Sequence, residues 1–227
     1  MSTFSYPDRD DAITATFVQR EDSWAEDEAA ILEYARSYIK DGKVLVDAGC
    51  GFGRLIPEFA PYFEKIIAIE PDGERIGKAK QTVDYLNLND KVEFLNRPIE
   101  DVSVQDIADC VLSSHIIQHI SNTAVPRVLR KMCAMLKPEG VLILTTNGTR
   151  EEEDQFSSAS LQEGELVEET IQKIGFELLV ASHSGSVPVH KFSSASLQDL
   201  LETAGFEVLE EKPFHSGTDV LAIAKKR

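Results

Sequence analysis

Positive charge is scarce in this chain of 227 residues: 23 Lys and Arg stand against 39 Asp and Glu, for a formal net charge of −16. Phosphate backbones and anionic lipid surfaces are held by clustered Lys and Arg, so this balance argues against nucleic acid or an anionic membrane as the main partner. Cysteine is scarce too. Cys50, Cys110 and Cys133 are odd in number and lie scattered in apolar contexts, which implies reduced thiols and not a disulfide framework. No apolar run approaches the roughly 20 residues that cross a bilayer. The opening Met1-Ser2-Thr3-Phe4-Ser5 lacks the basic and apolar regions of a secretion signal, so the expectation is a cytoplasmic protein. What remains, with 42% hydrophobic residues, is enough for one domain with a sizeable core.

The acidic excess is uneven. Residues 1–30 hold eight acids against Arg9 and Arg20, a net of −6, and residues 150–170 hold eight against Arg150, a net of −7. The rest of the chain is close to neutral. Such runs are ordinarily solvated faces.

Along the chain, Ser23-Trp24-Ala25-Glu26 has the form of a capping box before an amphipathic helix over 24–40. Apolar runs then alternate with helical stretches. Val44–Val46, Ile66–Ile69, Lys91–Leu95, Ala108–Ser113 and Gly140–Leu144 read as strands, with Asp72 capping a helix to about Asn87 and a further helix over Val125–Leu136. Continuously apolar strands each followed by a helix predict an α/β fold with a parallel sheet covered on both faces. The single domain divides into an N-terminal helical cap (1–40), a core (41–146), an insertion or substrate cap (147–190), and a C-terminal helix and strand pair (191–227). Two of these parts contain a repeat: Phe156–Gln162 and Phe192–Gln198 are both Phe-Ser-Ser-Ala-Ser-Leu-Gln, each followed by a Gly-Phe-Glu at 175–177 or 205–207. Both copies read as a serine-rich helix start leading to a glycine stop and a strand.

The chemistry is concentrated in Asp47-Ala48-Gly49-Cys50-Gly51-Phe52-Gly53-Arg54. A strand delivers the chain to three alternating glycines, which permit a tight turn and close approach by a ligand, and the next helix can offer free N–H groups to it. Seventeen residues after Gly53, Glu70 ends the second strand, where an acid can accept both hydroxyls of a ribose. A dinucleotide fingerprint needs a third glycine at position 54, where Arg54 stands; Asp47 at the strand exit suits a cationic ligand better than a pyrophosphate.

These residues resemble motif I of the class I S-adenosylmethionine-dependent methyltransferases, and Glu70 resembles that family's ribose-binding acid. Leu95–Asp101 falls where the family places its adenine loop, Ala108–His115 resembles its fourth-strand motif, and Leu136-Lys137-Pro138-Glu139-Gly140 resembles its turn before strand five, with Glu139 in place of a glycine. The resemblance covers about 40–146 and resumes over 192–226. It implies a doubly wound, Rossmann-like sheet of seven mostly parallel strands, with helices on both faces, the last strand antiparallel, and the two acidic segments as cap. It implies S-adenosylmethionine as methyl donor and S-adenosylhomocysteine as product, with no metal. The donor-binding residues it implies are Asp47, Gly49, Cys50, Gly51, Gly53, Arg54, Glu70, Pro71, Asp72, Ile99, Glu100 and Ser113; for Ile99, core packing is an equal alternative.

In-line methyl transfer is mostly positioning, with a base where the nucleophile carries a proton. His115 and His119 follow the fourth strand, and in a helix they would share one face. His119 also matches a histidine common at this place in small-molecule methyltransferases. Three roles compete for the pair: structural, base or substrate contact, and metal ligand, the last without a third ligand at suitable spacing. His183, His190 and His215 lie further on and could also reach the site. The reading is therefore methyl transfer to a small-molecule acceptor through oxygen or nitrogen. An acidic rim would favour an amine, with Tyr6, Phe17 and Trp24 either closing over it or packing as core. An RNA- or protein-modifying methyltransferase, a non-catalytic S-adenosylmethionine-binding subunit and a nicotinamide oxidoreductase are the alternatives. Oligomeric state, monomer or homodimer, is open.

Overall fold

A computed structural model of the chain describes residues 30, 32–39, 42–163, 165–182, 186–214 and 217–227. The capping box, Tyr6, Phe17, Trp24 and most of the acidic N-terminal segment lie outside these residues, as do His183 and His215. Residues 32–36 are helical, as the apolar spacing predicts.

The apolar runs become strands: β1 (Val44–Ala48), β2 (Lys65–Ile69), β3 (Val92–Leu95), β4 (Ala108–Ser114) and β5 (Leu136–Asn147). After an insertion containing β6 (Gln155–Gln162), β7 (Glu165–Thr170) and β8 (Val187–Lys191), the chain closes with β9 (Phe206–Phe214) and β10 (Asp219–Lys226). The main sheet has seven strands in the order β3-β2-β1-β4-β5-β10-β9. The first five are parallel, and β10 runs antiparallel to both β5 and β9. This is the doubly wound, mostly parallel sheet that the family resemblance implies.

Strands buried on both faces explain the unbroken apolar runs. On one face Val46, Ile67, Ile69, Val111 and Leu142 pack with Val128, Leu129 and Met132 of a helix at Val125–Met135. On the other, Leu45, Ile66, Leu112 and Ile143 pack with Leu32, Phe59, Phe63 and Val83. We label the helices α1 (Ile56–Phe59), α2 (Gly73–Tyr85), α3 (Val125–Met135), α4 (Lys173–Ser182) and α5 (Ser194–Thr203). The sheet order reverses at β1, so the loops leaving β1 and β4 open onto a common crevice, where α/β sheets take their ligands.

Strand β5 starts four residues earlier than the apolar run predicts, because the turn before it is absorbed into the strand. Glu139 adopts the left-handed backbone (φ 69) that the family's glycine supplies, and its carboxylate forms an ion pair with Lys225 on β10.

The insertion forms a separate antiparallel sheet, β7-β6-β8, with α4 packed on it. Here the structure corrects the reading of the repeat. The second copy starts a helix: Ser193 caps α5, its Oγ accepting the Ser196 N–H at 3.3 Å, and Gly205 with φ 104 follows the helix end. The first copy is strand β6, paired on both sides, and its Gly175-Phe176-Glu177 lies inside α4 instead of ending a helix. Identical local sequence folds two ways because the first copy lies between two strands whose backbone groups it must satisfy. In the second copy Leu197, with Leu201 one turn further along α5, is drawn onto the core with α3.

Candidate active site

At the end of β1 the chain turns sharply. The Gly49 and Cys50 N–H groups both donate to the Ile69 carbonyl at 2.9 Å, tying the loop to β2, and the Gly53 N–H donates to the Cys50 carbonyl at 2.8 Å. Gly49, Gly51 and Gly53 all have positive φ (87, 53 and 76), a conformation that costs other residues roughly 1–2 kcal/mol. A Cβ on Gly53 would stand 2.9 Å from the Ala79 Cβ of α2, so this glycine serves close packing. A Cβ on Gly51 would meet nothing within 4 Å, so the loop is open on that side.

Beneath this opening lie two buried acids. Glu70, 1% exposed, accepts the Gly51 N–H on Oε2 at 3.0 Å and the Asp72 N–H on Oε1 at 2.9 Å. Burial raises its pKa against the opposing pull of the Asp72 N–H and Arg75. Asp47, 3% exposed, is pushed up to about 7, first by burial and then by the Glu70 charge, with Arg54 acting in the opposite direction. Two neighbouring carboxyls removed from water make a site that favours an incoming cation or hydroxyl donor. The Cys50 thiol, also buried, is raised by burial and by both acids, so it stays protonated. Asn96 braces the strand end, its Nδ2 donating to the carbonyls of Glu70 and Pro71 at 2.9 and 3.0 Å. Asp72 caps α2 through the N–H groups of Glu74 and Arg75, at 2.8 and 3.0 Å.

The end of β4 forms the other wall. Ser113 is fully buried, and its Oγ has no hydrogen-bond partner among the described residues. His115 adopts a left-handed φ of 53, an uncommon backbone for a non-glycine residue that concentrates at functional sites. The chain continues through a 3-10 turn at Ile117–His119. His115 and His119 therefore do not share a helical face; the left-handed residue breaks the helix that their spacing invited. Ile116 lies between them, directly over Gly49, where a Cβ would be 2.5 Å from the Ile116 Cδ1. His115 Nδ1 is 3.3 Å from Gln118 Nε2, its ring makes an edge contact with Phe214, and His119 Nδ1 is 2.8 Å from the Pro188 carbonyl of β8.

The structure thus groups Asp47, Gly49, Cys50, Gly51, Gly53, Arg54, Glu70, Pro71 and Asp72 around the β1 exit, and brings the segment after Ser113 against them through Ile116. Ile99 is 6% exposed and packs in the core with Ala48, Ile69 and Ile117, and Glu100 beside it is half-buried. Sequence reasoning missed Gln118, Thr146, Asn147 and Asp219. Gln118 Oε1 accepts from the Thr146 hydroxyl (3.0 Å) and the Asn147 N–H (3.2 Å), and Asn147 Nδ2 donates to Asp219 Oδ1 (2.6 Å). The available signal was an amide inside the apolar run Ile116-Ile117-Gln118. Among the described residues no group of three or more His, Cys, Asp or Glu is arranged to hold a metal ion, and no helix is long and apolar enough to cross a membrane.

Comparison with known proteins agrees with this geometry. A family model described as a methyltransferase domain matches residues 19–211. A ubiquinone biosynthesis O-methyltransferase from Rhodopseudomonas palustris is 29% identical over 106 residues, 47% of this chain, and the match covers only 40% of that protein's own length. Among solved structures, the 1,6-didemethyltoxoflavin-N1-methyltransferase of Burkholderia thailandensis, with S-adenosylhomocysteine bound, superposes with a TM-score of 0.66 at 16% identity, covering 96% of this chain and 86% of that one. The cyclase SpnF gives a TM-score of 0.65 at 15% identity, covering 87% and 80%. At such identities these two show a shared fold.

Proposed function

The chain belongs to the S-adenosylmethionine-dependent methyltransferase family, and from that premise we propose that it transfers a methyl group from S-adenosylmethionine to the oxygen or nitrogen of a small-molecule acceptor. The observation that carries this reading is the open side of the loop at Gly51 above the buried pair Asp47 and Glu70. That arrangement fits the donor. The open side leaves room for a nucleoside against the backbone, Glu70 lies at the strand end where ribose hydroxyls are accepted, and Asp47 supplies a carboxyl for an ammonium. Arg54 beside it is assigned to the donor carboxylate, and Pro71, Asp72 and Glu100 to the rim of the nucleoside. Ser113, the last but one residue of β4, is assigned to the side where the methyl is transferred.

The donor supplies an electrophilic methyl carbon on a positively charged sulfur. The protein holds the acceptor in line with it and excludes water, which lowers the barrier by positioning. The antiparallel sheet β7-β6-β8, set against the 3-10 turn at 117–119, acts as the substrate cover. Its acidity bears on the mouth less than the charge count implies. Asp154 and Glu168 are engaged internally, by His190 at 2.8 Å and by Lys191 at 2.7 Å respectively. The choice of acceptor therefore rests on shape and hydrogen bonding more than on charge.

The test is methyl transfer by the full chain from labelled donor to a panel of phenols, carboxylic acids and amines. Turnover of at least one member is expected. Donor binding without turnover would instead indicate a non-catalytic subunit, and tight, salt-sensitive RNA binding a nucleic-acid substrate.

A further inference from the structure

On one face of the main sheet the apolar side chains give way to polar ones in four neighbouring strands. Asp47 of β1 pairs in register with Leu112 of β4, Ser114 of β4 with Thr145 of β5, and Asn147 of β5 with Asp219 of β10. Alternate residues of a strand share a face. Leu45, Leu112, Ile143 and Leu221 belong to one buried cluster, so Asp47, Ser114, Thr145, Asn147 and Asp219, two or four residues nearer the crevice, lie on its face. We propose that this polar row selects the methyl acceptor, with the Ser114 hydroxyl donating a hydrogen bond to it and the Asn147 side-chain carbonyl accepting one. That the ligand is a methyl acceptor rests on the methyl-transfer reading; the donating and accepting roles rest on the bonds the two residues already make.

The row starts at the donor site and runs away from it. Ser114 stands two residues beyond the Asp47–Leu112 pair, level with Gly49, and Asn147 lies one strand further out. Each is the last residue of its strand, at the edge where the crevice opens, and each is half-buried, whereas Thr145 between them is fully buried. One strand spacing and two residues of rise put the Cα atoms of Ser114 and Asn147 roughly 8 Å apart. The two side chains therefore bracket a ring, not a single atom. Phe214, opposite Asp219 on β9, ends the row with an aromatic side chain.

A neighbour fixes the sense of each polar end. The Thr145 hydroxyl donates to Ser114 Oγ at 3.0 Å, so Ser114 accepts on that side and keeps its own O–H for another group. Asn147 Nδ2 donates to Asp219 Oδ1 at 2.6 Å. A carboxylate accepts, so the NH₂ end of Asn147 faces Asp219 and its Oδ1 is turned the other way. The Asn147 backbone N–H is held in turn by Gln118 Oε1 at 3.2 Å. Among the described residues, neither the Ser114 O–H nor Asn147 Oδ1 has a further partner. Thr145 and Asp219 are positioning residues.

The chemical class of the acceptor follows. It is a ring-sized molecule with a lone pair for Ser114, on a carbonyl oxygen, an ether oxygen or a ring nitrogen, at the end nearer the donor. At the far end it carries an O–H or N–H for Asn147. A molecule lacking either group displaces water from the row and leaves one of its polar atoms unpaired, which is the penalty that makes hydrogen-bonded sites selective.

The test uses three probes that differ by one group: 4-hydroxyacetophenone, with a carbonyl and an O–H; 4-methoxyacetophenone, with the O–H blocked; and 4-ethylphenol, with the carbonyl removed. Each is titrated into the ¹⁵N-labelled full chain, with and without S-adenosylhomocysteine, and followed in ¹⁵N–¹H correlation spectra. 4-Hydroxyacetophenone is expected to shift the backbone signals of Ser114 and Asn147 and the Asn147 side-chain amide saturably, and to bind roughly fivefold more tightly than either analogue. Ser114→Ala should abolish the preference over 4-ethylphenol and keep the preference over 4-methoxyacetophenone. Asn147→Ala should do the reverse. Shifts that are absent or confined to other residues, equal affinity for the three probes, or a preference over 4-ethylphenol that survives in Ser114→Ala would overturn the proposal. The wild-type and Ser114→Ala comparisons decide the matter even where Asn147→Ala fails to fold. Failure of S-adenosylhomocysteine to bind, with the probe preferences intact, would count against methyl transfer and not against the polar row.

Discussion

Gly51 and Gly53 are two residues apart and share a left-handed backbone, yet a methyl group would meet open space at one and the Ala79 Cα and Cβ, at 3.2 and 2.9 Å, at the other. Gly51→Ala should therefore cost only the backbone strain, about 1 kcal/mol, in a denaturant titration, while lowering donor affinity at least tenfold in calorimetry. Gly53→Ala should cost roughly 2–3 kcal/mol, because α2 must move away. Asp47 supports a second prediction at this scale. Its pKa of about 7 in the free protein means that a cationic donor must displace a proton below that pH. Donor affinity should be level above pH 7 and fall by about tenfold per unit below it. Asp47→Asn should flatten that profile; an unchanged profile would show that Asp47 does not face the ammonium. This part of the site was legible in the sequence because each residue type has a direct steric or electrostatic cause: glycine for positive φ, an acid for a hydroxyl or ammonium. The histidine environment was not legible. The partner of His119 is a carbonyl 69 residues away, which any residue at position 188 would supply.

Among the elements, the repeated heptapeptide gives the clearest lesson. Phe156-Ser157-Ser158 opens a strand and Phe192-Ser193-Ser194 a helix, and the two phenylalanines flank the same His190 ring, with centroids 4.6 and 3.8 Å away. Local sequence permits both structures, and the packing partners select one. The same substitution should then act through different groups. Ser193→Ala removes a helix cap and should cost about 1 kcal/mol, whereas Ser157→Ala leaves Glu168 without the hydroxyl it accepts from. Asp154 joins the two regions, and its pKa is held down to about 2, against the desolvation that opposes it, by His190 and the Ser193 N–H. A carboxyl whose pKa is lower in the folded chain stabilises it above the ordinary value near 4 and ceases to do so as pH falls through 2. Asp154→Asn should therefore lower stability by roughly 2 kcal/mol at pH 7 and match the wild type near pH 2, as read from urea titrations at each pH.

For the molecule as a whole, the class of fold was visible in the alternation of apolar runs and helical stretches, since a parallel sheet buried on both faces leaves that pattern, while the seven strands and the antiparallel last strand followed only from the family resemblance. The function of the insertion was not visible, because its acids look alike in sequence while two of them are held by His190 and Lys191. The kinship of a cyclase fold with this one shows why the chemistry has to be argued from the site and not from the sheet. The central claim is that the crevice beside Gly51, Asp47 and Glu70 holds a sulfonium nucleoside. Calorimetric titration of the full chain with S-adenosylmethionine, S-adenosylhomocysteine and NAD tests it most directly. Saturable binding of the first two at one site per chain, weakened at least tenfold in Glu70→Ala and absent for NAD, is the expected result. Binding of NAD in their place, or affinity for S-adenosylmethionine unaffected by Glu70→Ala, would contradict it.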